Sequence, residues 1–241
     1  MHPIERLRAV ARAREVDQAL LAREAAAVLG SFAGDLPGLV TSCRRLIDRH
    51  PTAGALWWAC SRLLAAGDVR SEARAIAHDL RDEPATTALS LDLPGGAVVA
   101  VVPDPAGGSE LAGELNAWRD DLVVAHSPGA LHAERDEPRV LLVEAGAAGP
   151  DGFVAEGGTG DEIAAAREAG VAVWLVVDVG RRLPRPLFDA LVARARSPAP
   201  AHGTAAPPIE VVAAGSAERV VEPRRVDCPV APELLRAPGG W

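Results

Sequence analysis

In the first third of the chain, the apolar positions repeat with the spacing of amphipathic helices. In "DLPGLVTSCRRLIDRH" (35–50) they recur three and four residues apart, which is typical of a helix with one buried face. "HPTAGALWWACSRLL" (50–64) and "DVRSEARAIAHDL" (68–80) predict two further helices, with Asp68 as a cap of the second. Residues 3–82 are therefore predicted to form a small helical bundle or helical cap.

Beyond residue 84 the pattern changes to short apolar runs. "GAVVAVV" (96–102), "RVLLVEA" (139–145) and "VAVWLVV" (171–177) are continuous and rich in β-branched residues, as in parallel strands that are covered on both faces. "TALSLDL" (87–93) alternates and predicts a further short strand, and "IEVVAA" (209–214) predicts another.

Helical segments lie between these strands, at 108–118 and 160–170. The alternation predicts βαβ units in a three-layer arrangement. We therefore predict an α/β fold, in which an N-terminal helical domain (1–84) precedes a Rossmann-like α/β domain (85–241) with a mostly parallel sheet. The Pro- and Ala-rich stretch 197–208 is predicted to be a surface loop.

Composition narrows the class of protein and its partners. The chain has 241 residues, 24% of them charged, with a net charge of −8, so we expect it to repel nucleic acid and anionic membranes. Its three cysteines have no CxxC spacing, which argues against a disulfide scaffold or a zinc site and fits a reducing cytoplasm. The charged N-terminal segment predicts neither a signal peptide nor an anchor. We expect a cytoplasmic protein.

The stretch "GPDGFVAEGGTG" (149–160) has two interpretations. The turn at Gly158 and Thr159 opens a predicted helix, where backbone N–H groups could hold a phosphate. Thr159 and Glu162 also have the spacing of a capping box. Against a phosphate site, Asp161 and Glu162 occupy the first helical turn, and no basic residue lies between 140 and 166. These charges favour a structural corner.

Three segments resemble the translation initiation factor 2B alpha/beta/delta subunit family, which includes methylthioribose-1-phosphate isomerase and ribose-1,5-bisphosphate isomerase. Residues 139–177 resemble its signature of a strand, G-A-D, a turn, N-K-x-G-T and a helix. "RHPTAGALWWACSRLL" (49–64) is similar to R-P-T-A-V-N-L-x-W-A-x-x-R, and "VDCPVAPELL" (226–235) is similar to the closing segment. The three follow the family's order. The resemblance implies helices before a Rossmann-like domain, and assembly into dimers or larger complexes.

The same resemblance implies that the family's catalytic groups are missing. Gly146 aligns with the acid–base Asp of G-A-D, while Glu144 lies two residues earlier, and the N-K pair aligns with Ala155 and Glu156. The catalytic Cys of the isomerases would follow 96–102, yet no cysteine lies between 61 and 227. An isomerase needs a proton shuttle and a phosphate anchor. We therefore predict a non-catalytic, self-associating protein that binds a phosphorylated metabolite or nucleotide.

The pocket is expected where strand ends meet, near 103–108, 126–130 and 144–160. For Thr52, a helix first-turn hydroxyl is the plainer interpretation, and for Asp104 an Asp-Pro turn is equally open. The spacing of His126, His132 and Glu134 matches no metal site, and we assign no catalytic residue, metal ion or cofactor. The pocket candidates are Thr52, Asp104, Ser127, Glu144, Asp151, Glu156, Gly158 and Thr159.

Two other functions remain open. One is a sugar-phosphate isomerase with a rearranged site that uses Asp104, Glu144, Asp151 or Glu156; a pocket with converging carboxylates and an arginine would favour it. The other is a structural subunit of a hetero-complex. Trp57 and Trp58 are interface candidates because neighbouring residues lie about 100° apart on a helix, so one of the two is expected to face outward.

Overall fold

The computed structural model describes residues 3–13, 16–81, 85–106, 109–125, 128–132, 137–197 and 208–235. The helices in these ranges are α1 (Pro3–Arg12), α2 (Gln18–Leu29), α3 (Leu36–Arg49), α4 (Gly54–Ala65), α5 (Val69–Asp79), α6 (Ala85–Asp92), α7 (Leu111–Trp118), α8 (Thr159–Glu168) and α9 (Arg185–Ala195). The strands are β1 (Val98–Val102), β2 (Val123–Ala125), β3 (Arg139–Glu144), β4 (Ala147–Ala148), β5 (Gly152–Glu156), β6 (Ala172–Val176), β7 (Ile209–Ala213) and β8 (Arg219–Val221).

The helical first third is confirmed, and an aspartate caps two of its helices, with Asp68 as expected. The Asp35 carboxylate accepts a hydrogen bond from the Gly38 N–H at 2.9 Å at the start of α3. The Asp68 carboxylate accepts from the N–H groups of Arg70 and Ser71 at the start of α5. Each cap satisfies amide groups that the helix cannot pair internally.

The predicted parallel sheet is also confirmed. Five strands lie in the order β2-β1-β3-β6-β8, and every pair is parallel. Alternate residues of β1, β3 and β6 enter two separate cores: one is shared with α6 and α7, and the other with α8 and a second sheet. The result is the three-layer α/β arrangement.

Two strand predictions need correction. The segment 87–93 is not a strand, because residues 85–92 form α6, whose buried Ala85, Leu89 and Leu93 recur every four residues and face the sheet. The predicted strand at 209–214 exists as β7, but it belongs to a separate antiparallel sheet of order β4-β5-β7. β5 itself lies inside the stretch 149–160, where the sequence predicted only turns. Most of the predicted loop 197–208 lies outside the described residues.

The helical region shares one core with later parts of the chain. Buried residues of α2, α3 and α4 pack together with Leu187 and Leu191 of α9 and with Leu234 near the described C-terminus. The segment 222–235 crosses α4, where Trp58 Nε1 donates to the Asp227 carbonyl at 3.2 Å. The domain boundary at residue 84 stays a prediction. No helix in the described part of the chain has the length and apolar character needed to cross a membrane.

Candidate functional site

Three carboxylates meet at one edge of the parallel sheet. Asp104 follows β1 by two residues, Glu144 ends β3, and Asp178 follows β6 by two residues. Because β1, β3 and β6 are adjacent and parallel, their carboxyl ends lie side by side. Asp104 and Glu144 are only 2% and 5% exposed, so each needs a partner to remain charged.

Arg181 is that partner and lies at the centre of the group. Its Nη1 donates to Asp104 Oδ2 at 3.1 Å and to the Ala145 carbonyl at 3.1 Å. The same nitrogen lies 3.6 Å from Glu144 Oε1, and Nη2 lies 3.8 Å from Asp17 Oδ2. Burial alone would lower the pKa of Arg181, but the surrounding carboxylates raise it above its ordinary value. Asp104, Glu144 and the Ala145 carbonyl therefore engage the Nη1 end of the guanidinium.

Glu144 has one oxygen without a partner. Its Oε2 is buried and forms no hydrogen bond within the described structure. Burial raises the pKa of Glu144 to about 7, and the negative charges of Asp104 and Asp178 add to that rise. Arg181 and the Ser109 hydroxyl act in the opposite direction without cancelling it. This carboxyl group can therefore gain or lose a proton near neutral pH.

Burial also raises the pKa of Asp178, and Arg181 offsets part of that rise. Asp178 Oδ1 accepts hydrogen bonds from the N–H groups of Val179 at 2.8 Å and Ala85 at 3.3 Å. Asp104 Oδ1 accepts from the Ala106 N–H at 2.8 Å, the contact expected of an Asp-Pro turn, while Oδ2 accepts from Arg181.

A cleft of about 330 Å³ opens above this group, between the sheet edge and the helical region. The first turns of α2, α6 and α7 line it, so three positive helix ends face the carboxylates and stabilise them. The charged residues that line the cleft are Asp17, Arg23, Arg81, Glu110, Glu114, Glu144, Asp178 and Arg181.

Gly146 joins the sheet edge to the helical region. Its carbonyl accepts from the Gly54 N–H at 2.9 Å and from Gln18 Nε2 at 3.2 Å. A Cβ on Gly146 would lie 2.8 Å from Pro105 Cγ and 3.1 Å from the Thr52 carbonyl oxygen. Glycine is therefore required here because other groups approach the backbone closely.

Comparison with solved structures identifies the fold. The chain superimposes on translation initiation factor eIF-2B from Pyrococcus horikoshii OT3 with a TM-score of 0.64 at 12% identity, over 97% of this chain and 98% of that one. On the eIF2B-beta2-delta2 complex from C. thermophilum it superimposes with a TM-score of 0.62 at 13% identity, over 91% of this chain and 88% of that one. On 5-methylthioribose 1-phosphate isomerase from P. horikoshii the TM-score is 0.57 at 15% identity, over 97% of this chain and 85% of that one.

This chain has the initiation factor 2B fold. The structural match confirms at the level of fold the resemblance found in the three sequence segments. No protein-family model matches the sequence, and no curated protein matches it in a sequence search.

On this initiation factor 2B fold, the predicted pocket residues divide into two groups. Glu144 lines the cleft, and Asp104 lies directly behind it on Arg181. Asp151 instead lies at the surface, where it pairs with Arg185. Glu156 is exposed at the end of β5, away from the cleft.

The turn at Gly158 and Thr159 is also outside the cleft, and the predicted capping box does not form. Gly158 itself caps α8 with a φ of +99°, and the Thr159 hydroxyl donates to the Glu156 carbonyl at 2.8 Å. The Glu210 carboxylate accepts from the Gly160 N–H, so a protein carboxylate already occupies this helix end. Burial and the nearby carboxylates raise the pKa of Glu162. The contacts are those of a structural corner.

The remaining candidates lie elsewhere. Thr52 is buried beside the Gly146 junction and does not line the cleft. Ser127 lies outside the described residues, as do His126 and Glu134. Among the described residues, no group of three or more His, Cys, Asp or Glu side chains has an arrangement that could hold a metal ion.

The prediction that one tryptophan of the pair faces outward is wrong. Trp57 and Trp58 are both fully buried within the chain. Trp57 Nε1 donates to the Pro51 carbonyl at 3.1 Å, and Arg62 stacks over the ring of Trp58 at 4.6 Å. The folded segment 222–235 covers the side of α4 that the sequence left open.

Sequence reasoning missed most of the cleft. Asp178 could have been found, since it directly follows the predicted strand 171–177 and a polar residue there faces the ligand edge of a parallel sheet. Arg181 carries no such signal, because a turn at Gly180 separates it from that strand. Asp17, Glu110 and Glu114 reach the cleft only through the packing of their helices.

Proposed function

We propose that this chain is a small-molecule binding protein on the initiation factor 2B fold. The observation that carries the proposal is the cleft at the carboxyl edge of the sheet, with the unpaired Glu144 oxygen at its floor. Ligand pockets in open α/β sheets form at this edge, and a buried polar group without a partner is costly unless a ligand or water satisfies it. We also propose that the protein binds this ligand in the cytoplasm.

The ligand predicted from the sequence is a phosphorylated metabolite or nucleotide. Arg23 and Arg81 also line the cleft, and Arg23 Nε has no hydrogen-bond partner within the described structure. A phosphate bound by this protein would meet these two arginines.

Thermal shift tests the binding proposal. The panel contains ribose 5-phosphate, methylthioribose 1-phosphate, ribose 1,5-bisphosphate, AMP, GMP and unphosphorylated hexoses. A ligand at 100 times its Kd stabilises the folded state by about 2.7 kcal/mol, which is readily measured. Leu20→Trp, at the cleft, should abolish the shift, whereas Leu36→Trp, on the exposed face of α3, should preserve it. Equal shifts in both variants would place binding elsewhere, and no shift with any compound would refute the proposal.

Self-association is the second part of the proposal. Leu91 and Trp118 are 83% and 56% exposed. They belong to one surface region, because Arg119 donates to the Ser90 carbonyl between α6 and α7. Val123 on the edge strand β2 is 53% exposed nearby. Exposed apolar residues beside a free sheet edge are features of interfaces.

Sedimentation velocity over a range of protein concentrations tests self-association. We expect a dimer that Trp118→Glu dissociates and that Leu235→Glu, at a separate exposed leucine, leaves intact. A monomer at every concentration would leave no support for this part of the proposal.

An aldose–ketose isomerase is the second candidate, favoured by carboxylates that converge on an arginine. Glu144, with its pKa of about 7, would remove the proton from the carbon next to the substrate carbonyl and return it to the former carbonyl carbon, while a proton passes from the substrate hydroxyl to the carbonyl oxygen. We rank it second because Asp104 and Glu144 engage Arg181, and the described structure gives no group for the transfer between the two oxygens. Incorporation of deuterium from D₂O into ribose 5-phosphate, lost in Glu144→Gln, is the expected sign. A lack of exchange would exclude this candidate for that substrate.

A further inference from the structure

The charges of the cleft are unbalanced. Among the residues that the structure describes, five carboxylates line it against three arginines, and Asp104 contacts Arg181 from behind. The arginine at the floor is already used, since Arg181 contacts Asp104, Glu144, Asp17 and a carbonyl. The floor therefore has an excess of negative charge that the protein does not neutralise.

Glu144 indicates which chemical group of a ligand this excess of negative charge would favour. Its side chain is 6% exposed, and Oε2, which has no partner within the described structure, belongs to a residue that lines the cleft. The ionised carboxylate, which predominates above the pKa of about 7, accepts hydrogen bonds and donates none, so above that pH the missing partner is a donor. A donor with a positive charge gains more from the surrounding carboxylates than a neutral one does.

Arg23 adds a second requirement. Its Nε is a buried donor that also lacks a partner within the described structure, and the residue lines the same cleft from α2. A ligand hydroxyl can accept from this nitrogen. Together, the two unpaired groups fit a molecule with a cationic donor at one position and a hydroxyl at another.

We infer that the cleft selects a small ammonium-bearing, hydroxylated molecule, whose ammonium group donates to Glu144 Oε2. This inference rests on the proposed binding function and specifies the charge of its ligand. An anionic group directed to Glu144 would meet carboxylates, whereas a phosphate would be directed to Arg23 and Arg81.

A matched series of hexoses tests the inference. 6-Amino-6-deoxyglucose, glucose and glucuronate share one frame and carry an ammonium, a hydroxyl and a carboxylate at carbon 6. Isothermal titration at pH 7.5 should give the aminohexose a Kd at least tenfold lower than that of glucose, and glucuronate should bind weakest.

Two variants connect that preference to the floor of the cleft. Glu144→Gln preserves the shape of the side chain and removes its charge, so the preference for the aminohexose over glucose should fall to threefold or less. Glu156→Gln makes the same change at an exposed carboxylate outside the cleft and should leave the preference unchanged.

The outcomes separate this inference from the binding proposal. Tighter binding of glucuronate or of sugar phosphates than of the aminohexose would overturn the inference while the binding function stands. An ammonium preference that Glu144→Gln does not alter would also overturn it. If no compound of either panel binds, both proposals fail.

Discussion

Removal of the Arg181 guanidinium should expose how strongly the cleft carboxylates repel one another. In Arg181→Met the stem of the side chain remains, but the guanidinium is lost. In the described structure it is the only cation within 4 Å of the carboxylates of Asp104, Glu144 and Asp17. Arg181, which makes all of these contacts, is only 2% exposed.

The magnitude follows from burial. Loss of one partner of a buried ion pair costs about 3–5 kcal/mol, because the other charge is left uncompensated. For a chain of this size, about 1 kcal/mol shifts Tm by about 2–4 °C, so a fall of about 6–20 °C is expected. The loss should be smaller at pH 5 than at pH 7.5. Without the guanidinium the pKa of Glu144 rises further, so this group is protonated in the folded state at the lower pH.

Urea unfolding, followed by tryptophan fluorescence at both pH values, measures this loss. Arg185→Met is the matched control, because its ion pair with Asp151 is exposed, with side chains 58% and 73% accessible. Solvent screens such an exposed pair, so its loss should change stability little. A loss in Arg181→Met no larger than in the control, or one that does not shrink at pH 5, would refute the electrostatic account of the cleft.

Three further changes should have measurable effects on stability. Burial raises the pKa of Glu144 to about 7 from 4.5, so the folded state retains a proton that the unfolded chain releases. The stability of the parent protein therefore falls as the pH rises from 4.5 to 7. Glu144→Gln lacks this proton, so in urea unfolding its stability should increase by about 3 kcal/mol relative to the parent between pH 4.5 and 8. Gly146→Ala should lose about 1–3 kcal/mol because its Cβ would lie 2.8 Å from a ring carbon, whereas Gly113→Ala, with open space in α7, should gain about 0.5–1 kcal/mol. Ser61→Ala leaves the buried Ala231 N–H without its acceptor at 2.9 Å, so it should cost about 1–3 kcal/mol and accelerate hydrogen exchange at that amide.

The strands of the parallel sheet could be predicted because their residues are buried on both faces. β1, β3 and β6 alternate between two cores, so nearly every residue is apolar and the runs are unbroken. The segment 87–93 misled the prediction, because alternation over so few residues also fits one face of a helix. Only the contact of α6 with the sheet decides between the two.

The cleft could be predicted only where its residues follow a strand directly. Asp104 and Glu144 were found in this way, through the rule that parallel strands direct their carboxyl ends to one edge. Thr159 and Gly158 satisfied a local helix-start pattern equally well, but the Glu210 carboxylate on β7 occupies that helix end. The local sequence pattern at 158–159 gives no indication that Glu210, about fifty residues later, contacts this helix end.

The geometry of Gly146 explains why a carboxylate at this sheet edge comes from Glu144. The position that aligns with the family's aspartate cannot carry a side chain here, since the Gly54 N–H bonds its carbonyl at 2.9 Å and Pro105 fills the space of its Cβ. Gly54 is equally constrained, because its own Cβ would lie 2.6 Å from the Gly146 oxygen. Close contact between helices and sheet therefore requires glycine on both sides. The strand residue two positions earlier, Glu144, directs its carboxylate into the cleft instead.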